Sequence, residues 1–328
     1  MYKVAIFGAG RMGHVRAKSI AMHKKTAIAG IVESHQQYAE NFADSYGVNI
    51  LTAEQVMSDE SIRAVCICSV TDTHADLVEM AARHGKAIFC EQPIDLNPER
   101  ITRCLEVVRE HDVPFLVGYY RRYDPQFRTL CEQFESGQIG VAESLTIISR
   151  EPSLPTLEYI RNSGGLFKSM SLRDLDMARY ILDDEPVSVS AHGSALISQN
   201  IADEGDVDTA VIVLTFRSGA IATIINSRRS GYGYDQRIEL HGSKGLLRAD
   251  NTPDTQVEHW GDEGCVRATP QFEFYDRYQR AFQLEWQHFV DVLGGMSIPQ
   301  CMGDDGLRAL QLADAAKKSL ETGQTILL

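Results

Sequence analysis

The chain has 328 residues, 44% apolar and 23% charged, the balance of a globular protein with room for two separate cores. A formal net charge of -13 sets it against nucleic acid and anionic membrane surfaces, which would repel it over most directions of approach. Seven cysteines without a CxxC pair suit a reducing compartment, and ten histidines never closer than five residues apart, with no HExxH, give no reason to expect a metal.

The first apolar run, Val4 to Phe7, leads into Gly8-Ala9-Gly10-Arg11-Met12-Gly13 and then a helical pattern. Glycines at a strand-to-helix junction have a physical use: Gly8 permits the tight turn, Gly10 lets a pyrophosphate approach the backbone, and Gly13 lets helix and strand pack closely. The second run, Ala27 to Val32, ends in Glu33, twenty positions after Gly13, where a carboxylate would accept hydrogen bonds from an adenosine ribose. These features predict a bound dinucleotide. Glu33, followed by Ser34, His35 and Gln36 with no lysine or arginine, favours NAD and makes NADP the second choice, because a 2′-phosphate would meet an uncompensated negative charge.

Further strands are predicted at Ala64 to Val70, Ala87 to Cys90 and Pro114 to Val117. Cys66 and Cys68 alternate in the first of these as small core residues. Between the strands, Thr71 to His74 caps a helix carrying Leu77, Met80 and Ala81, and Pro98 opens another carrying Ile101, Leu105 and Val108. Strand and helix in alternation predict an α/β fold, a doubly wound parallel sheet of the Rossmann kind, over residues 1–120.

Residues 121–328 read as a second, α+β domain with an open, mostly antiparallel sheet. Amphipathic helices are expected at Asp124 to Ser136 and Leu166 to Leu182, and strands at Val187 to Ala191, Asp208 to Phe216, Ala220 to Asn226, Gln236 to Leu240 and Gly245 to Arg248. Ser218-Gly219 is expected as a two-residue hairpin turn. Such a sheet leaves one face to be covered, which points to a homo-oligomer, dimer or tetramer. Helices at Tyr275 to Leu293 and Asp305 to Leu320 are expected to pack the core without a chemical role. With neither a charged-then-apolar leader nor an apolar run of membrane-spanning length, a cytoplasmic protein with no membrane partner is expected.

Several blocks together resemble the Gfo/Idh/MocA oxidoreductases, and among them the inositol 2-dehydrogenases: Gly8 to Gly13, Thr71 to His74, Cys90-Glu91-Gln92-Pro93, Gly118 to Pro125, Gly164-Gly165-Leu166-Phe167, Asn226 to Arg229 and Tyr232 to Arg237. The resemblance covers nearly the whole chain. It implies an NAD-dependent oxidation of a sugar or polyol hydroxyl to a ketone. It also implies a cofactor set of Gly8, Gly10, Arg11, Met12, Gly13, Glu33, Ser69, Thr71, His74, Glu91 and Gln92, with His74 capping or packing rather than acting as a base. Tyr120, Arg122, Tyr232 and Tyr234 fall in the substrate-facing blocks.

Three positions depart from what the family carries. The lysine of its Glu-Lys-Pro sequence is Gln92 here, and the aspartate and histidine of the inositol branch are Ser169 and Arg173. An amide is not basic, a serine needs its own base, and a guanidinium stays charged, so the usual proton transfer is altered. Ser169, Arg173 and Asp176, at i, i+4 and i+7, are expected on one helix face. Asp176 and Tyr234 remain as acid/base candidates beside Gln92, Ser169 and Arg173. Arg173 with Arg121 or Arg122 would suit an acidic ligand such as a sugar acid, the alternative being a structural pairing of Arg173 with Asp174 or Asp176. A non-catalytic NAD-linked sensor on the same scaffold is the second functional reading.

Overall fold

Strands covered on both faces need apolar residues at consecutive positions, and the first half of the chain supplies them: Val4, Ala5, Ile6 and Ala64 to Ile67 have no exposed surface. They form a wholly parallel sheet of β1 (Tyr2–Phe7), β2 (Thr26–Val32), β3 (Asn49–Ile50), β4 (Ile62–Ile67), β5 (Ala87–Glu91) and β6 (Phe115–Gly118) in the order β3-β2-β1-β4-β5-β6. The order reverses between β1 and β4, where doubly wound sheets open a crevice at their carboxyl ends. The connecting helices are α1 (Arg11–Met22), α2 (Gln36–Tyr46), α3 (Ala53–Ser58), α4 (His74–Arg83) and α5 (Pro98–His111). β4 stops at Ile67, three residues before the expected Val70. Its last rung is Cys68 N–H to Phe7 O at 2.7 Å, after which Thr71–Thr73 form a 3-10 turn and leave Val70 exposed. α4 accordingly begins at His74.

The computed structural model describes residues 1–328 and divides them into two units. The first is Met1–Tyr123 with Ala281–Leu310; the second is Asp124–Arg280 with Gln311–Leu328. In the first, the later part of α10 (Phe274–Leu293) sends Trp286, Phe289 and Val290 into the core below β5, with Phe89 at 5.6 Å from both aromatic rings.

The second unit alternates inward and outward residues as a sheet covered on one face requires. Ala210, Ile212, Leu214 and Phe216 of β9 (Thr209–Phe216) are buried, while Val211 is 37% exposed and Ile221 of β10 (Ile221–Ser227) is 47% exposed. With β7 (Ala142–Arg150), β8 (Pro186–Ser194), β11 (Asp235–Gly242), β12 (Gly245–Ala249) and β15 (Ile326–Leu327) the order is β12-β11-β7-β10-β9-β8-β15. All pairings are antiparallel except β7 with β10. β7 was not anticipated, because buried Ser149 and half-buried Ile148 blunt its alternation. The short hairpin β13 (Glu258–Gly261) and β14 (Gly264–Arg267), exposed throughout, was missed as well. The turn at Ser218-Gly219 has three residues rather than two: Phe216 pairs with Ala220, and Gly219 takes the left-handed conformation at φ 91°.

Helices α6 (Pro125–Glu135), α7 (Leu157–Asn162), α8 (Leu172–Leu182), α9 (Gln199–Asp203) and the end of α11 (Gly303–Thr322) complete this unit. Asp124 caps α6 by accepting from Gln126 N–H and Phe127 N–H, with Pro125 at the first helical position. The helix expected from Leu166 opens differently: Phe167–Ser171 form a π-helical turn before α8 starts at Leu172.

Candidate functional site

Gly8, with φ 97°, lies where an added Cβ would meet Cys68 C and O and Ser69 Cα at 2.6 Å, and a Cβ on Gly13 would meet Gly8 O at 2.1 Å. Both glycines are therefore required by the turn and by the packing of α1 on it. Gly10 is different, since a Cβ there meets nothing within 4 Å. The first intrahelical bond of α1 runs from His14 N–H to Gly10 O, and no side chain caps the helix, so its positive end opens at this glycine. Arg11 is exposed and Met12 packs against the core.

Glu33, at the end of β2, faces the same loop. Its Oε2 accepts from Ala9 N–H and its Oε1 from His35 N–H, each at 2.9 Å, with Ser34 Oγ at 3.3 Å from Oε1. Burial works against ionisation, but the N–H donors of Ala9 and His35 outweigh it and hold the carboxyl below its ordinary value. An ionised carboxylate fixed beside a glycine loop that has room at Gly10 is the donor and acceptor set an adenosine ribose and a pyrophosphate need. The residues present fit NAD.

On the other side of the crevice, His74 is buried between two carbonyls, with Nδ1 2.9 Å from Pro93 O and Nε2 2.9 Å from Ser69 O. It ties the turn after β4 to the turn after β5. Ser69 also hydrogen bonds Thr73 Oγ1 at 2.7 Å, and Thr71 is half-buried in the 3-10 turn. Glu91 closes β5 with its carboxylate committed: Arg16 Nε donates to Oε1 at 2.5 Å. Arg16 Nη1 donates to Glu285 Oε2 at 2.5 Å, and its guanidinium lies 4.4 Å from the Phe89 ring centre. Arg16 and Glu285 have no exposed side-chain surface. Burial pushes the Glu285 carboxyl up to about 8 despite the opposing guanidinium. So α10, expected to pack only, also contributes a buried carboxyl group. The signal was a charge inside the apolar stripe Ala281, Phe282, Trp286 and Phe289.

Gln92 follows Glu91, and its Oε1 is buried without a hydrogen-bond donor from the chain. Tyr120 is 4% exposed, its ring 4.6 Å from that of Phe282. Arg122 is buried too, with Nη2 3.1 Å from Asp305 Oδ1 and Nη1 donating to Gln300 O at 2.9 Å.

In the second unit the π-helical turn separates Ser169 from α8, so the uniform α-helical face expected for Ser169, Arg173 and Asp176 does not form. Ser169 Oγ donates to Gly165 O at 2.8 Å and accepts from Arg228 Nη2 at 3.1 Å. Arg228 Nη1 in turn pairs with Asp206 Oδ2 at 3.1 Å. Arg173 Nη2 lies 3.5 Å from Glu151 Oε1, a partner the sequence reading did not name. Asp174 accepts from Ser149 Oγ at 2.6 Å and Asn226 Nδ2 at 2.8 Å, which holds α8 to the sheet. Asp176 is fully buried. Tyr232 is 46% exposed, its hydroxyl donating to Asp235 Oδ2 at 2.7 Å. Tyr234 is buried, edge-on to Tyr278 at 6.1 Å.

Known proteins resemble both units. Residues 2–119 match an oxidoreductase family described as having an NAD-binding Rossmann fold, and residues 127–248 match the GFO/IDH/MocA C-terminal domain. An inositol 2-dehydrogenase of Rhizobium meliloti (strain 1021) is 42% identical over 318 residues, 97% of this chain and 96% of that protein. A crystal structure of a myo-inositol dehydrogenase from Corynebacterium glutamicum ATCC 13032 matches with a TM-score of 0.95 at 36% identity, covering 100% of this chain and 99% of the other. One of a scyllo-inositol dehydrogenase from Lactobacillus casei, with bound NAD(H) and scyllo-inositol, matches with a TM-score of 0.93 at 26% identity over 100% and 99%. No helix of this chain is long and apolar enough to cross a membrane. By fold, by the geometry of its nucleotide cradle and by these matches, the chain belongs to the Gfo/Idh/MocA family of NAD-binding oxidoreductases.

Proposed function

We propose that the protein is an NAD-dependent, inositol 2-dehydrogenase-like enzyme that oxidises a CH–OH group of a neutral cyclic polyol or sugar, or reduces the ketone, with an altered proton-transfer set. The observation that carries the reading is the dinucleotide cradle, in which Ala9 and His35 N–H groups hold Glu33 toward a loop with room at Gly10. Gly8 to Gly13 and Glu33 hold the cofactor, and His74 fixes the turns that carry Ser69, Thr71, Gln92 and Pro93. NAD, when bound, supplies a hydride acceptor.

The hydroxyl proton needs an acceptor of the chain's own. Gln92 is an amide, Arg173 a guanidinium, and the Ser169 hydroxyl is held between Gly165 O and Arg228. Of the five acid/base candidates only Asp176 has a carboxylate, and we assign proton acceptance to it. Tyr232 and Tyr234 border the substrate. A second copy of the chain covers the half-exposed sheet face around Val211 and Ile221.

The test is NADH formation by the purified protein with NAD and a panel of myo-inositol, scyllo-inositol, sugars and sugar acids. Turnover with a neutral member is the expected result, and Asp176→Asn should lower kcat by two or more orders of magnitude while leaving NADH affinity within a factor of two. The locked Ser169 hydroxyl favours a second reading, a non-catalytic NAD-linked sensor. Tight NADH binding with no turnover on the whole panel selects that one.

A further inference from the structure

Three buried ionisable groups of the first unit take no part in proton transfer from the substrate and stand together: Arg16 of α1, Glu91 of β5 and Glu285 of α10. Arg16 Nε donates to Glu91 Oε1 and Arg16 Nη1 to Glu285 Oε2, each at 2.5 Å. Gly118, at the end of β6, closes the cluster, since a Cβ there would meet Arg16 Nη2 and Glu91 Oε2 at 3.1 Å. The charged groups acting on Glu285 are Arg16 and Glu91, and the Cys66 thiol of β4 acts on Arg16. Two carboxyl groups and one guanidinium are neutral as a set only while one carboxyl keeps its proton. Glu285 is the one placed to keep it: no donor of the chain reaches its Oε1, which in the ionised form would be a buried charged oxygen without a hydrogen bond. The cluster therefore has a neutral and a singly negative state that differ by one proton. It lies at the carboxyl end of β5, and a dinucleotide with its adenosine at Glu33, just beyond β2, crosses the switch point between β1 and β4 toward that end. The nicotinamide ring is cationic when oxidised and neutral when reduced, so the negative state of the cluster attracts the oxidised ring alone.

We propose that the Arg16–Glu91–Glu285 cluster senses the oxidation state of the bound coenzyme: Glu285 gives its proton to solvent when NAD+ binds and takes one back when NADH replaces it. The coupling is reciprocal, so the ionised cluster tightens NAD+ by the same factor by which NAD+ favours ionisation. Raising the pH through the ionisation of Glu285 thus tightens NAD+ and leaves NADH unchanged. This deepens the NAD-dependent reading and rests on it; acceptance of the substrate proton, assigned to Asp176, is a separate event.

The experiment is calorimetric titration of the full-length protein and its Glu285→Gln variant with NAD+, NADH and ADP-ribose from about pH 6.5 to about pH 9.5, in two buffers of different ionisation enthalpy so that released protons are counted. In the wild type the ratio of the NAD+ to the NADH dissociation constant should fall about three- to tenfold over this range, with about 0.3–0.5 proton released per NAD+ bound at the midpoint and no matching release with NADH. Glu285→Gln keeps the shape of the side chain and an oxygen for Arg16 but has no proton to lose, so its ratio should be flat and the release absent. ADP-ribose, which lacks the nicotinamide, should bind both proteins within twofold at every pH, and its binding shows that the cradle of the variant is folded. A pH-independent ratio in the wild type overturns the proposal, as does an equal slope in the variant, which would place the titrating group elsewhere. Absence of binding of all three probes by the wild type is the separate failure, that of the NAD-dependent reading itself.

Discussion

Glu285 offers a way to measure what the buried cluster does to the fold. Two carboxyl groups, Glu91 and Glu285, share one guanidinium, Arg16, and none of the three is more than 6% exposed. With both ionised, the cluster would hold a net negative charge in the core, so one carboxyl retains its proton; burial raises Glu285 from near 4.5 to about 8. In the unfolded chain Glu285 ionises at its ordinary value. Between these values the native state binds one proton more than the unfolded state, so this contribution is complete below pH 4.5 and is lost as pH rises through about 8. A shift of this size is linked to roughly 3–5 kcal/mol across the window. Glutamine at this position stays neutral and still offers an oxygen to Arg16 Nη1. The expected outcome is that the stability of Glu285→Gln minus that of wild type grows by a few kcal/mol between pH 5 and pH 9. Urea unfolding at five pH values reads it. The probe is Trp286 fluorescence in a Trp260→Phe background, because Trp286 is fully buried in the first unit and Trp260, the only other tryptophan, is 71% exposed. Parallel stability curves for the two proteins would refute the reasoning, since they would mean that Glu285 ionises alike in the folded and unfolded chains.

The glycine loop separates fold from ligand. Gly10→Ala meets no atom within 4 Å and should leave the melting temperature within about 2 °C while reducing NADH affinity at least tenfold, whereas Gly8→Ala, at φ 97° with Cys68 and Ser69 backbone 2.6 Å away, should cost about 2–4 kcal/mol of stability. Thermal melts beside NADH titrations check both. Glu33→Ala removes the acceptor of Ala9 N–H and His35 N–H together with the charge that opposes a 2′-phosphate; NADH should weaken by one to two orders of magnitude and NADPH by much less, and an unchanged ratio of the two dissociation constants would count against the assignment of Glu33.

The first unit was largely legible because its evidence is local. Its strand runs, the glycines and the position of Glu33 follow from burial on both faces and from backbone sterics, and β1, β2, β5 and β6 lie within two residues of expectation. Arg16 and Glu285 were not legible as a pair: they are 269 positions apart, and no periodicity says which carboxylate a buried cation will meet. In the second unit the inward alternation of β9 and β10 was plain, but β7 carries Ser149 inward to bond Asp174, so a buried polar link hid a strand. The π-helical turn at Phe167–Ser171 was invisible for a related reason. Apolar spacing reports which face is buried and does not count the one extra residue that re-aims Ser169 at Arg228.

Charge balance supports the proposal of a neutral substrate. An anion held by arginines needs guanidinium groups whose charge is not already spent, and three arginines of the expected blocks face internal carboxylates: Arg122 with Asp305 at 3.1 Å, Arg228 with Asp206 at 3.1 Å, and Arg173 with Glu151 at 3.5 Å. Arg122 and Arg228 are buried, and removing a carboxylate from a buried guanidinium costs about 3–5 kcal/mol. At either buried pair a carboxylate-bearing ligand would have to displace the resident carboxylate or lie beside it, so its own attraction is offset by repulsion or by that loss. A hydroxyl imposes no such exchange, because it can donate to a carboxylate oxygen or accept from a guanidinium while the pair stays intact. Arg173 and Glu151, 3.5 Å apart, add no net charge as a pair, which supports the neutral reading over the acidic one.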